Sequence, residues 1–408
     1  MAGRTGEPGA GGGKPRPALA GTRISLGGSP KSSNDRTVAL LWGITLLLTG
    51  IGLIMVLSAS SVTSYSQDRG SLGGFTRQLV FAALGLPLMV FAATRKLDFW
   101  KRWAWWFFGA GLLLQALVFT PLGFAVGGNR NWILIGGIQA QPSEALKLAL
   151  VVWIGVVLLK KEKYLGQVSH ELVPIVVPGA LLALGLVLGG RDLGTVLVMA
   201  GLVIGAMYFG GVSWKSLGII VVGGLIAVFF FVVTSQNRLD RLFEHSGGSN
   251  DLTGIGWQPT HGLWALANGG MFGVGLGGSK AKWNWLPAAD NDYIFAIIGE
   301  ELGFVGAMLV ICLFIALAVL MLRVISRARD RFGRAVVGGA LVWIVGQAFI
   351  NIGVVIRLFP VLGVPLPLIS SGGTALVSCL VTMGVVISVA RDANAHRQEL
   401  GDDAFVAR

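Results

Sequence analysis

The sequence has few charged residues and few of the side chains that build metal sites or disulfides. Charged residues make up 13% of the 408 residues, against roughly 25% in a typical soluble domain. There are two cysteines and four histidines, and the histidines never fall at the spacing of a zinc ligand set. A Walker motif and a serine nucleophile elbow are also missing. The low charge and the missing motifs disfavour a soluble domain, a protein-built zinc site, ATP-driven transport and serine hydrolysis.

Apolar residues dominate instead, at 54% of the chain. Ten apolar runs approach or exceed the roughly 20 residues that cross a bilayer as a helix. They cover residues 38–58, 76–94, 103–120, 142–159, 171–189, 192–209, 214–234, 294–322, 335–356 and 372–390. The pattern predicts an all-α polytopic membrane protein with about ten transmembrane helices. Cys312 and Cys379 both fall inside these runs, where they act as small apolar side chains.

Basic residues indicate the orientation. Of the 32 lysine and arginine residues, 22 lie in the two tails and in alternate connections, which predicts that both termini are cytoplasmic. The net charge of +12 is explained by this orientation and does not require nucleic acid. We predict a disordered basic tail over 1–36, a membrane domain over 37–392 and a cytoplasmic C-terminal tail over 393–408.

Two predicted outer connections, at about 121–141 and 235–292, are long enough to hold a site. The second joins the seventh and eighth predicted spans and ends at Asp292, directly before an apolar run. A carboxylate is costly there unless it has a partner or a function, so Asp292 is the first candidate for chemistry. Asp290, two residues earlier, is its rival. Helix capping accounts for Asp292 equally well from physics alone.

Further charged residues lie within or beside the apolar runs. Glu300 and Glu301 lie about 12 Å deeper than Asp292 on a continuous helix, where they either pair with a buried group or line a polar path. Glu144 and Lys147 are three residues apart and share a helix face, so an ion pair is favoured over direct catalysis. Arg130 either extends to the membrane interface or binds substrate.

The backbone is interrupted before the last apolar run. Pro360, Pro365 and Pro367 are followed by Gly372 and Gly373. Such a break is tolerated only where protein or water satisfies the freed backbone groups. The segment either borders a cavity or forms a simple re-entry turn.

Four segments together carry a family resemblance: QPSEALK at 141–147 with the preceding Trp132, DLGT at 192–195, DNDYIFAIIGEELG at 290–303 with the glycine-rich stretch from 270, and PLPLISSGG at 365–373 with the preceding Asn351. The chain resembles the SEDS family (shape, elongation, division and sporulation). Within that family it is more similar to the division members than to the elongation members. The resemblance extends over essentially all ten predicted spans.

The resemblance implies a peptidoglycan glycosyltransferase that polymerises lipid II on the outer face of the bacterial cell membrane during septal wall synthesis and cell division. It implies a class B penicillin-binding protein and other division proteins as partners. The family's essential aspartate directly precedes an aromatic-Ile-Phe-Ala run, a position that Asp292 holds here. The expected supporting or substrate-binding residues are Arg130, Glu144, Lys147, Lys280, Lys282, Glu300, Glu301, Arg357, Ser370 and Gly372.

The implied chemistry needs one base. Lipid II is α-linked to its pyrophosphate and the polymer linkage is β, so a single inverting displacement suffices. Pyrophosphate leaves without protonation, and cations hold its charge. No cofactor is evident, although a divalent cation could share that task. The alternatives are an elongation polymerase, a scaffold of the division machinery, or a lipid II flippase, for which no internal repeat is evident.

Overall fold

The chain folds as a bundle of long apolar helices in a computed structural model, which describes residues 33–66, 72–234, 239, 256–283 and 285–406. The helices are α1 (Ser33–Ser66), α2 (Gly73–Thr94), α3 (Leu97–Ala116), α4 (Pro142–Lys160), α5 (Val168–Gly189), α6 (Leu193–Phe209), α7 (Trp214–Val233), α8 (Trp257–Asn268), α9 (Ile294–Arg327), α10 (Arg331–Val355) and α11 (Gly373–Val406). Most of the predicted N-terminal tail and residues 235–255 of the predicted outer loop, except 239, lie outside the described residues.

All ten predicted apolar runs form helices. Within the described ranges, nine helices are long and apolar enough to cross a membrane, and α6, with 17 residues, is shorter. α5 and α10 each contain one π turn, at Val176–Ala180 and Val342–Gly346. The last helix continues to Val406 and therefore includes most of the predicted C-terminal tail.

Small residues bring the central helices together. α4 is the most enclosed span and α7 the least. At Gly339 on α10, an added Cβ would lie 2.1 Å from Val151 Cγ2 on α4, and at Gly338 it would lie 2.5 Å from the Phe209 side chain on α6. Glycine at both positions lets the helix backbones approach closely, which favours packing of helices in a membrane.

The first outer connection contains a small antiparallel sheet that the sequence reasoning did not predict. Its strands are β1 (Gly123–Val126), β2 (Asn129–Ile135) and β3 (Ile138–Ala140), in that spatial order. Two Gly-Gly pairs join them, at 127–128 and 136–137, and all four glycines have positive φ. This backbone is typical of two-residue hairpin turns, so the paired glycines were an available signal.

A break in α9 holds the second outer connection in place. Gly303 has φ 70° inside the helix, and the carbonyls of Glu300 and Glu301 accept hydrogen bonds from the amides of Val274 and Gly275 at 3.0 and 3.1 Å. The amides of residues 304 and 305 donate in turn to the carbonyls of residues 270 and 271. Protein groups therefore satisfy the backbone freed by the break, as a membrane-spanning helix requires.

Candidate active site

Asp292 lies where the second outer connection meets α9. The N-cap position of that helix belongs to Tyr293, whose side chain is buried, and the N-cap side chain makes no capping hydrogen bond. Asp292 is half-buried and precedes the cap by one residue. Occupation of the N-cap therefore does not account for this carboxylate.

The connection between α10 and α11 faces the Asp292 carboxylate. Oδ2 of Asp292 lies 3.7 Å from the position that a Cβ at Gly363 would occupy. Nδ2 of Asn351 donates to the carbonyl of Asp292 and to the carbonyl of Val364, both at 2.8 Å. One buried amide thus fixes the backbone of Asp292 against the final outer connection.

Ser370 fastens the same two segments together. Its hydroxyl donates to the carbonyl of Asn291 at 2.7 Å and accepts from the amide of Leu366 at 2.8 Å. The amide of Ser371 donates to the carbonyl of Asp290 at 2.9 Å. Ser370 is 5% exposed, so its position is that of a residue that holds the loop carrying the aspartates.

Gly372 lies at the start of α11, where its carbonyl accepts the amide of Leu376 at 2.9 Å. The interrupted segment at 360–373 therefore lies against the two aspartates. Of the two readings of this segment, bordering a site agrees with its hydrogen bonds to the carbonyls of Asp290 and Asn291 and with the approach of Gly363 to the Asp292 carboxylate.

Asp290 has a different electrostatic environment from that of an exposed carboxyl. Burial raises the pKa of its carboxyl above the ordinary value, while hydrogen bonds from its own backbone and from the Ser371 side chain act in the opposite direction. A raised pKa is a property of many general bases. Asp290 therefore stays a physical rival to Asp292.

Lys282 forms a buried ion pair. Its Nζ lies 3.1 Å from Oε1 of Glu301, and the two side chains are 4% and 0% exposed. The same ammonium donates to the carbonyl of Gly277 at 2.7 Å and to the hydroxyl of Ser58 at 3.2 Å. Ser58 lies on α1, so the pair links that helix, the outer connection and α9.

Glu300 organises the same connection through its carboxylate. It accepts hydrogen bonds from the amides of Lys280 and Ala281, from the Ser279 hydroxyl and from the Asn268 side chain. Of the two readings of Glu300 and Glu301, the structure shows pairing with buried groups. The side chain of Lys280 itself is exposed.

The two arginines predicted to support the site differ in their surroundings. The guanidinium of Arg130 donates to three backbone carbonyls, those of Val118, Thr120 and Gly123. It thereby braces the small sheet. Arg357 is half-buried at the end of α10 with φ 59°, a left-handed conformation that non-glycine residues seldom adopt.

The predicted ion pair between Glu144 and Lys147 is confirmed. Nζ of Lys147 lies 2.8 Å from Oε1 of Glu144, and both side chains are at most 3% exposed. Nζ also donates to Oε1 of Gln347 at 3.3 Å and lies 4.7 Å from the ring centroid of Trp343. The pair joins α4 to α10 in the centre of the bundle.

Sequence reasoning quoted Asp192 in a motif but assigned it no role. It is the N-cap of α6, where it accepts from the amide and hydroxyl of Thr195. It also accepts from the side chains of Asn131 on β2 and Gln141 beside α4, at 2.6 and 3.3 Å. An aspartate three residues before a threonine at the start of an apolar run was the available signal of a cap.

An aromatic stack braces the loop before the aspartates and was also missed. The ring of His261 lies 3.8 Å from that of Trp257, and the ring of Trp285 lies nearly parallel to Trp257 at 6.2 Å. Nε1 of Trp257 donates to the carbonyl of Trp285 at 2.8 Å. Gly262, next to His261, packs against the ring of Tyr293, which places the stack beside Asp292. The exposed ring of Trp285 offers a face that could pack against the C–H face of a sugar ring.

No group of three or more His, Cys, Asp or Glu side chains with the arrangement of a metal site is present in the described part of the chain. The possible divalent cation stays a prediction. The described residues bring together a pair of aspartates and an aromatic surface. They also join the second outer connection, on which Lys280 is exposed, to the α10–α11 connection.

The comparisons with known proteins agree on one family. Residues 38–395 match the sequence profile of the FtsW, RodA and SpoVE family, described as cell cycle proteins. The chain is 38% identical over 357 residues to the probable peptidoglycan glycosyltransferase FtsW of Mycobacterium tuberculosis. The aligned region covers 86% of this chain and 67% of that relative.

Two solved structures share the fold. One is a chain from a peptidoglycan synthase complex that coordinates polymerization and crosslinking, with a TM-score of 0.69, 24% identity and coverage of 86% of this chain and 98% of that one. The other is the rod shape determining protein RodA of Thermus thermophilus, with a TM-score of 0.63, 25% identity and coverage of 86% and 96%.

Proposed function

The chain belongs to the FtsW, RodA and SpoVE family of cell cycle proteins, and from this premise we propose that it is a peptidoglycan glycosyltransferase that polymerises lipid II. The observation that carries the proposal is the position of Asp292. It is a half-buried carboxylate that does not occupy the helix N-cap, and its backbone is held by Asn351 against the connection before α11.

Asp292 acts as the general base in this proposal. It takes the proton from the 4-hydroxyl of the acceptor sugar as that oxygen attacks the anomeric carbon of the donor. The new bond forms between the acceptor oxygen and the anomeric carbon, and the bond from that carbon to the pyrophosphate oxygen breaks. The electron pair leaves with the polyprenyl pyrophosphate, and the configuration inverts. A fixed carboxylate suits this step because proton transfer requires hydrogen-bond reach.

Cations must hold the departing pyrophosphate. Lys280 is exposed on the second outer connection and Arg357 is half-buried at the end of α10, so these two are assigned that role. Lys282 and Arg130 are assigned to hold the outer connections, because their charged groups already contact Glu301 and backbone carbonyls.

We propose a division role, a septal position and a crosslinking partner, and the names of the relatives support this. The relative at 38% identity carries the FtsW name, whereas the RodA structure is 25% identical, which supports the division subgroup over the elongation subgroup. The similar chain from a complex that coordinates polymerization and crosslinking supports a class B penicillin-binding protein as partner.

The test is lipid II polymerisation by the purified protein together with a partner whose crosslinking activity has been removed. Wild type is compared with Asp292→Asn and with Asp290→Asn, which carries the same change two residues away. We expect glycan chains from wild type and from Asp290→Asn, and a loss of at least about 100-fold for Asp292→Asn, the lower range for general base catalysis.

Each result has a defined meaning. Loss of activity only in Asp290→Asn would move the base to Asp290. A wild-type complex that is folded but makes no polymer would overturn the enzymatic proposal and favour a flippase or a scaffold. Helical content and elution as a single species check that both variants fold.

A further inference from the structure

A polar cavity lies at the opposite end of the bundle from the aspartates. It has a volume of about 790 Å³ and is formed by the α2–α3 connection and the start of α3, the end of α4, the α9–α10 connection and residues 388–395 of α11. The orientation predicted from the basic residues places it at the cytoplasmic surface. It contains none of the residues assigned to polymerisation.

Positive charge dominates the cavity wall. Five cationic residues line it, Arg95, Lys96, Lys101, Arg329 and Arg391, against three carboxylates, Asp98, Asp330 and Asp392. The excess is two positive charges on a surface that also includes the apolar side chains of Leu97 and Leu159.

Several of these charges are already positioned by the protein. Lys101 pairs with Asp330 at 2.7 Å, and Asp330 also caps the start of α10. Nη1 of Arg391 donates to the carbonyl of Ala93 at 2.7 Å, which fixes the guanidinium while leaving its charge uncompensated by that contact. Lys101 and Arg391 are therefore held by contacts on two sides of the cavity.

Two cations stand apart from these contacts. Lys96 and Arg329 are exposed at the cavity, and neither forms an ion pair within the described residues. Lys96 is also the N-cap of α3, a 20-residue helix, and its side chain makes no capping hydrogen bond. Lys96 and the first residues of α3 line the same cavity, and the free amides of a helix start favour an anion.

We propose that this cavity binds the headgroup of an anionic phospholipid from the cytoplasmic leaflet. The phosphate would lie between Lys96, Arg329 and the start of α3, where charge and helix dipole act in the same direction. The carboxylates of Asp98 and Asp392 would accept hydrogen bonds from the hydroxyls of the headgroup. Inorganic phosphate without such hydroxyls would leave these two carboxylates without a donor.

Position and size favour a lipid over a free anion. The cavity is bounded by the ends of α2 and α4 and the start of α3, and its apolar wall at Leu97 and Leu159 suits the glycerol and first acyl carbons of a lipid. A volume of about 790 Å³ is within the range of small-molecule sites and exceeds what one phosphate fills.

The test measures binding to the full chain in detergent micelles. Short-chain phosphatidylglycerol, short-chain phosphatidylcholine and inorganic phosphate are titrated separately, and the rise in the thermal midpoint gives each affinity, because a ligand of the folded state raises it. The variant Lys96→Ala/Arg329→Ala removes the two cations. The matched control Lys163→Ala/Arg323→Ala removes two exposed cations on the same predicted face, outside the cavity.

We expect wild type to bind phosphatidylglycerol more tightly than phosphatidylcholine, and the cavity variant to bind it about 30-fold more weakly, from about 1 kcal/mol for each cation. The control should keep at least a third of the wild-type affinity. Equal losses in both variants would show general surface attraction and overturn the site. Saturation by inorganic phosphate alone at similar concentrations would overturn the lipid assignment. Lys96→Arg/Arg329→Lys should restore binding.

Discussion

The buried pair between Lys282 and Glu301 makes the sharpest prediction about the outer connection. Lys282→Met keeps the length of the side chain and removes its charge. Among the described residues, the buried Glu301 carboxylate then keeps only the Ser58 hydroxyl and the Ser279 amide as donors. Removing one partner of a buried ion pair costs about 3–5 kcal/mol. We expect the free energy of unfolding to fall by that amount.

The double variant tests the origin of the loss. Glu301→Gln removes the charge left behind by Lys282→Met, so the two changes together should cost about 2–3 kcal/mol less than the sum of the single effects. Lys280→Met is the control: the side chain is exposed two residues away in the same connection, and its loss should change stability by at most about 0.5 kcal/mol.

The assay is reversible unfolding in mixed detergent and denaturing micelles, followed by helical content, with lipid II polymerisation measured on the same preparations. If Lys282→Met unfolds like wild type but makes no polymer, the ammonium acts on substrate and the structural assignment is wrong. If the double variant is additive, Lys282 and Glu301 do not depend on each other and the pair does not hold the connection.

Three further variants test other parts of the site. Asp290 has a raised pKa in the folded state, so wild type should lose stability as this carboxyl ionises with rising pH. Asp290→Asn has no such ionisation, and thermal melts should therefore show it gaining stability relative to wild type between pH 4 and 7. Gly303→Ala should lower the free energy of unfolding by more than about 2 kcal/mol, because its Cβ would lie 2.3 Å from the amide nitrogen of Gly273. Gly270→Ala is the control: its Cβ would meet nothing within 4 Å, so its cost comes from the positive φ alone. Arg357→Gly should stay within about 1 kcal/mol of wild type in unfolding, since it relieves a left-handed arginine, while the polymerisation rate falls.

The opposite results are equally informative. A pH-independent difference for Asp290→Asn would show that the carboxyl is well solvated. Equal stabilities for the two alanine variants would show that the connection does not pass close to the break in α9. Undiminished polymerisation by Arg357→Gly would remove this arginine from the pyrophosphate site.

Sequence determined the membrane helices because each is a local property. A run of apolar side chains near 20 residues predicts a span wherever it occurs, and all ten runs formed helices. The spacing of Glu144 and Lys147 likewise predicted their pair, since residues three apart on a helix are neighbours. The position of Asp292 directly before the apolar run at 294 identified the first candidate base.

Tertiary structure decided which charged residues face the site and which hold it together. Lys282 and Arg130 were both expected near substrate, and their charged groups instead contact Glu301 and three carbonyls. Those partners lie up to 19 residues away along the chain, and Ser58 lies on another helix altogether. Long-range pairing depends on how the helices pack, and no local sequence pattern contains that information. The sequence therefore determined the spans, and the packing determined which partner each charged side chain contacts.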